Sequence, residues 1–182
     1  MPQGAADVAH VTAFWRKAGP DRWFNKDDAF DAQFRETCRH LHFEAARRHL
    51  DAWSDEAEGA FALMILLDQY PRNCFRGTAH MYATDPLARY FARKAVRLRL
   101  DQMVEPEVRF FFYLPISHSE NLSDQNLAVE LFTPLGPDSL KHALRHREIG
   151  QRFGHFPHRN PMLGRESTPE EQTFLDGGGF AG

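Results

Sequence analysis

The sequence predicts an all-α protein, a single multi-helical array, on three observations. Apolar residues recur at helical spacing in almost every segment, and acids or prolines stand where helices would begin. No segment alternates with period two between hairpin turns. Of the 182 residues, 42% are hydrophobic and 13% aromatic, so burial can offset the chain entropy lost on folding. That length suits one domain over residues 1–182, with residues 1–6 and 176–182 expected to be flexible.

Each element has its own signal. Val8, Val11 and Trp15 mark a first helix, stopped by Gly19 and Pro20. Asp21–Phe24 reads as a turn whose aromatics pin it to the core. A second helix starts at Asp27 or Asp28 and runs to about His49, with Phe30, Phe34, Cys38, Leu41 and Ala45 on its buried face. Ser54 or Asp55 is the expected cap of a third helix. From Gly59 to Leu67 that helix is apolar all round, which marks it as the central core helix. Pro71 predicts an end or kink near Tyr70.

Asp85 and Pro86 signal a helix to about Leu100, with Leu87, Tyr90, Phe91, Ala95 and Leu98 as its stripe. Arg89, Arg93, Arg97 and Arg99 lie off that stripe and read as a solvated face rather than a polyanion site. Glu105 and Pro106 restart a helix toward Leu114; Phe110–Leu114 has the composition of a strand but no partner. Ser123 or Asp124 caps the next helix, which ends before Pro134, and Asp138 caps another. Thr168, Pro169, Glu170 and Glu171 form a capping-box signature for the last. No strict repeat of thirty-odd residues is visible.

Several function classes are excluded. A net charge of −3 argues against a nucleic-acid binder. The longest apolar run, Ala60–Leu67, is too short for a bilayer, and the N-terminus lacks the regions of a signal peptide. Cys38 and Cys74 are expected to be reduced thiols, and the location cytoplasmic.

Three polar clusters stand outside the amphipathic pattern. The first is Asp68, Gln69, Arg72 and Asn73 with Arg76, at the exit of the core helix. An acid directly after apolar residues needs a partner, so pairing of Asp68 with arginine is the structural alternative to a site. The second, Pro115–Asn121, contains His118 and Glu120, an acid–base candidate whose residues also suit helix capping. The third runs from Arg152 to Arg165, where Gly154, Pro157, Pro161 and Gly164 break the helical pattern. It carries His155, His158, Arg159, Asn160 and Arg165, and forked guanidiniums beside an asparagine suit a carboxylate or phosphate. No metal site is assigned. His10, His40, His42, His49, His80, His142 and His146 read as surface residues.

Taken in order, these blocks resemble the DUF924 family: Leu66–Asn73, then His118–Glu120, then Phe153–Asn160 with Leu163–Arg165. Phe14-Trp15, Trp23-Phe24, Ser167–Glu171 and Phe174-Leu175 also fit. The resemblance implies an all-α fold similar to tetratricopeptide-like helical repeats, and no established activity. One departure is His155, where arginine is usual in the family, which counts against a metal role for it.

The expected function is binding of a small anionic molecule in a polar pocket. Arg72, Arg76, Arg159 and Arg165 supply the charge, Asp68, Gln69, Asn73 and Asn160 orient the ligand, and His118, Glu120 or His158 handle protons, with enzyme activity and any cofactor undetermined. The alternative is a helical-repeat module that binds a protein or peptide.

Overall fold

The apolar stretch after Gly59 is the axis of the first part of the chain. In a computed structural model that describes residues 3–180, Ala60 to Leu67 are all 0% exposed. Two compact units form, Met1–Arg76 with His80–Pro115, and Gly77–Ala79 with Ile116–Gly182. Among the described residues every regular element is helical.

In the first unit α1 (Gln3–Ala18), α2 (Pro20–Trp23), α3 (Asp28–Ala46) and α6 (Asp85–Arg97) surround α4 (Ala57–Met64) and α5 (Tyr70–Cys74). The expected stripes of α1 and α3 bury through Val11 and Trp15 and through Phe30, Phe34, Cys38 and Ala45; on α6 Phe91 and Ala95 bury with Ala88 and Ala92, whereas Tyr90 and Leu98, read as part of that stripe, lie exposed. Trp15 meets Phe34 at 5.3 Å and Phe111 edge-on at 5.4 Å. Trp23 Nε1 donates to the Trp15 carbonyl at 2.8 Å. Each such large side chain stabilises the fold by about 1.5–3 kcal/mol through burial.

The core helix does not stop at Pro71. Between α4 and α5 it widens into a π turn, Ile65–Gln69, and Tyr70 N–H reaches back to the Ile65 carbonyl. Proline removes one further donor. The widening and the missing N–H leave the Leu66 and Leu67 carbonyls without their usual helical partners, deep in the core. Side chains from two other elements take their place: His42 Nδ1 meets Leu66 O at 2.8 Å, and Thr84 Oγ1 donates to Leu67 O at 2.6 Å. The expected kink thus becomes a widened turn, because neighbouring donors satisfy what proline frees.

After two short helical turns, α7 (Pro106–Arg109) and α8 (Leu114–Ser117), the second unit is built on α9 (Leu122–Phe132) and α10 (Pro137–Phe153), followed by α11 (Asn160–Leu163) and α12 (Pro169–Asp176). Gly154, in the left-handed region at φ 74°, ends α10. The Thr168–Glu171 capping box forms as read.

Several local expectations are corrected. Helix α1 begins at Gln3, ahead of the Val8 from which it was read; Met1, Pro2, Ala181 and Gly182 lie outside the described residues. Asp21–Phe24 falls largely within a helical turn that buries Trp23 but leaves Phe24 exposed. Helix α3 ends at Ala46, and Arg48 turns the chain at φ 69°. The caps shift by a residue or two: Glu56 precedes α4 without a side-chain cap, Thr84 precedes α6, Asn121 Oδ1 caps α9, and Gly136 precedes α10. Ser54 is instead bonded to Asp51 O, and Asp55 to Lys94. Phe110–Phe112 is a 3₁₀ turn, not a strand, and another 3₁₀ turn, Thr133–Leu135, carries the chain through Pro134.

Gly59 is where backbone meets backbone. A Cβ there would stand 2.2 Å from the Trp53 carbonyl oxygen. Gly59→Ala is therefore expected to destabilise the protein by at least about 2 kcal/mol in urea unfolding. Gly4→Ala, whose Cβ would lie 3.4 Å from the Trp53 indole nitrogen, should change it by less than about 0.5 kcal/mol.

Candidate functional site

The first polar cluster closes on itself and on its neighbours within the first unit. The Asp68 side chain is 1% exposed, accepts from Gln69 Nε2 at 2.6 Å and meets Arg72 Nη1 at 3.1 Å. Arg72 also forks onto both oxygens of Asp85, at 2.8 and 3.0 Å. Burial opposes the Arg72 charge, yet Asp68 and Asp85 outweigh it and hold its pKa above the ordinary arginine value. Asp31, on α3, gathers the remaining two residues: Asn73 Nδ2 donates to it at 2.7 Å and Arg76 Nε at 3.0 Å.

The second and third clusters meet within the second unit. Glu120 receives both terminal nitrogens of Arg165, each at 2.8 Å, and the Phe156 N–H at 3.0 Å. Burial opposes the Glu120 charge, but Arg165 and the Phe156 N–H prevail and lower its pKa. Arg159 is 6% exposed, lies over the Phe156 ring at 4.8 Å, and donates to the His118 carbonyl at 2.9 Å. Asn160 Nδ2 bonds Ser167 Oγ and Glu171 Oε2, while His155 Nε2 lies 2.9 Å from Glu171 Oε1. Sequence blocks about forty residues apart are thus joined, and each of the four arginines read as anion ligands faces a carboxylate or carbonyl of the chain itself.

Two histidines read as surface residues are buried. His42 is 0% exposed and His146 2% exposed. His146 packs against His142 at 4.3 Å, Phe180 at 4.6 Å and Phe156 at 5.4 Å, with His118 at 6.4 Å. Burial, then repulsion from His142, His118 and His158, pushes its pKa down to about 2. Both positions fall on apolar stripes, His42 four residues after Cys38 and His146 three after Ala143, so spacing alone carried the signal. Among the described residues, no group of three or more histidine, cysteine, aspartate or glutamate side chains is placed to hold a metal ion.

A feature that the sequence did not signal lies on the first unit. Val8, Thr12 and Ala13 of α1 face Ala52, Trp53 and Gly59 across a groove of about 820 Å³. Its lining is mostly apolar. Arg16 stands at one end, held by Glu58 at 2.7 Å and Glu105 at 2.6 Å, and Glu56 adds a further acid to the wall. Trp53, half-buried, presents its indole beside Gly4.

The class defined here is an all-α protein of packed short helices; no described helix is long and apolar enough to cross a membrane. Residues 11–179 match the family described as "Bacterial protein of unknown function (DUF924)", and the chain belongs to that family. A solved structure of a protein of unknown function from Agrobacterium tumefaciens is similar, at 57% identity and TM-score 0.94, over 96% of this chain and 99% of that one. No curated protein matches the chain.

His146 makes stability depend on acid. Its folded pKa lies below the unfolded value, so its contribution is complete above about pH 6.5 and is lost as the pH falls from there. Between pH 7 and pH 5 the protein should lose about 2 kcal/mol of stability through this residue. Chemical unfolding at both pH values checks this; His146→Leu should flatten the dependence by that amount.

Proposed function

We propose that the protein is a cytoplasmic docking module whose groove between α1 and the Trp53–Gly59 segment receives a helical segment of a partner protein. The observation that carries this reading is the groove itself: it is lined mainly by apolar side chains and backed by a half-buried tryptophan. Tryptophan in a desolvated pocket is the residue type that most often anchors an interface. From Gly4 to Arg16 the groove follows about 18 Å of helix, the length of three turns. Its charged margin is acidic, because Glu56 and Glu58 line it beside a single arginine, Arg16, which Glu105 also pairs from outside the groove. The fitting occupant is therefore an amphipathic helix with an apolar stripe flanked by lysine or arginine.

Trp53 is a built-in reporter, since Trp15 and Trp23 are buried elsewhere in the core. A three-turn peptide with a leucine stripe and lysine flanks should change the tryptophan emission saturably, and the same peptide with glutamate flanks should bind at least tenfold more weakly. Ala9→Arg, on an exposed position of the groove, adds bulk and a charge like that of the peptide's flanks, and should weaken the lysine peptide by tenfold or more while the melting temperature stays put. Equal binding of both peptides, or none, ends this reading.

One observation favours a small anionic ligand instead. The Glu120 carboxylate occupies a position bounded by the Arg165 fork and the Phe156 N–H, at the edge of solvent. That is the arrangement an external carboxylate or phosphate would use after displacing it. In that case Glu120→Gln should bind phosphate or dicarboxylates at least tenfold more tightly than the parent chain, read as a ligand-dependent rise in melting temperature. No such rise in the variant rejects the anion site.

A further inference from the structure

The His42 and His80 imidazoles face each other with Nε2 atoms 3.3 Å apart. Three features of this pair bear on what it can bind. The Leu66 carbonyl can only accept, so His42 Nδ1 carries the proton and its Nε2 turns a lone pair toward His80, accepting from the His80 Nε2–H when no ion is bound. A histidine whose second nitrogen donates to a backbone carbonyl is the usual arrangement around protein-bound metals, because it locks both tautomer and ring orientation. The nitrogen spacing also matches, since two imidazole nitrogens at about 2.0–2.1 Å from one tetrahedral ion stand about 3.3–3.4 Å apart; the ring centroids, 5.6 Å apart, set the two nitrogens nearly head-on, so the rings tilt toward a common point when an ion binds.

The surroundings hold the rings still. Tyr70 stacks on His42 at 4.6 Å, Phe75 lies against His80 at 3.9 Å, and Phe43 meets both rings edge-on at 4.9 and 5.9 Å. His42 is fully buried, whereas His80 is half-buried, so solvent can reach the pair from one side.

We propose that His42 and His80 form a two-imidazole binding site for a divalent late transition-metal ion, with water or a ligand oxygen completing the coordination. Imidazole suits zinc, nickel and copper, and the half-open position resembles sites that leave room for an exchangeable ligand. The placement of His42 follows from the widened turn of the core helix, so the same donor that satisfies Leu66 O also aims Nε2 at His80. With two protein ligands the site is of modest affinity, and copper is its strongest probe by the general order of divalent affinities.

The test uses the chelator-treated full chain, titrated with Cu²⁺ and with Zn²⁺ in a non-coordinating buffer. One equivalent of each should bind, and the Cu²⁺ spectrum should carry coupling to two imidazole nitrogens. His80→Gln should weaken that equivalent at least tenfold, with the metal-free melting temperature kept, whereas His142→Gln should leave it unchanged. His80→Cys keeps a ligand at the position and should bind Co²⁺ with a thiolate charge-transfer band. The proposal is overturned if no stoichiometric metal binds, if His142→Gln rather than His80→Gln removes it, or if His80→Cys gives no thiolate band.

Discussion

The first unit depends on satisfying two carbonyls in the middle of its core. The helix from Ala57 to Cys74 runs through residues with no exposure at all, and at that depth an unpaired carbonyl is destabilising by about 1–3 kcal/mol. The π turn and Pro71 create two such groups, on Leu66 and Leu67. The His42 ring on α3 answers one, and the Thr84 hydroxyl just before α6 answers the other. These bonds tie three elements together at one level of the core. They also account for a histidine standing where an apolar residue would otherwise pack.

Charge is handled by the same logic of compensation. Asp68 is enclosed beside Arg72, which Asp85 also holds; Asp31 collects Asn73 and Arg76; Glu120 collects Arg165 and a backbone N–H. Buried or half-buried ions persist in proteins when paired and hydrogen-bonded. The density of arginine in these motifs is thus accounted for by the chain's own acids and carbonyls, and their polar character does not by itself demand a ligand. The apolar groove beside Trp53 differs in kind, since its lining is solvent-facing and mainly without charge.

Much of the fold could be read from periodicity. The stripes of α1 and α3, the all-apolar core helix and the Thr168 capping box follow from spacing and composition, because helix burial obeys a short-range repeat, while on α6 Tyr90 and Leu98 turn out exposed. Cap positions were less legible: Asn121 rather than Ser123 or Asp124 takes the α9 cap, since several neighbouring residues could all donate or accept there. The pairing of Glu120 with Arg165 lies 45 positions apart along the chain, and no local rule selects it.

By itself the sequence determined the all-helical class, which faces would be buried, and that Asp68 needed a partner, because these are matters of local spacing and of the solvation of single groups. Only tertiary structure decided how Pro71 would be accommodated, that His42 and His146 would lie inside, and that a groove would open beside Trp53. The physical reason is that each of these depends on which donors, rings and backbones arrive from other helices, and that arrival is set by packing rather than by neighbours along the chain.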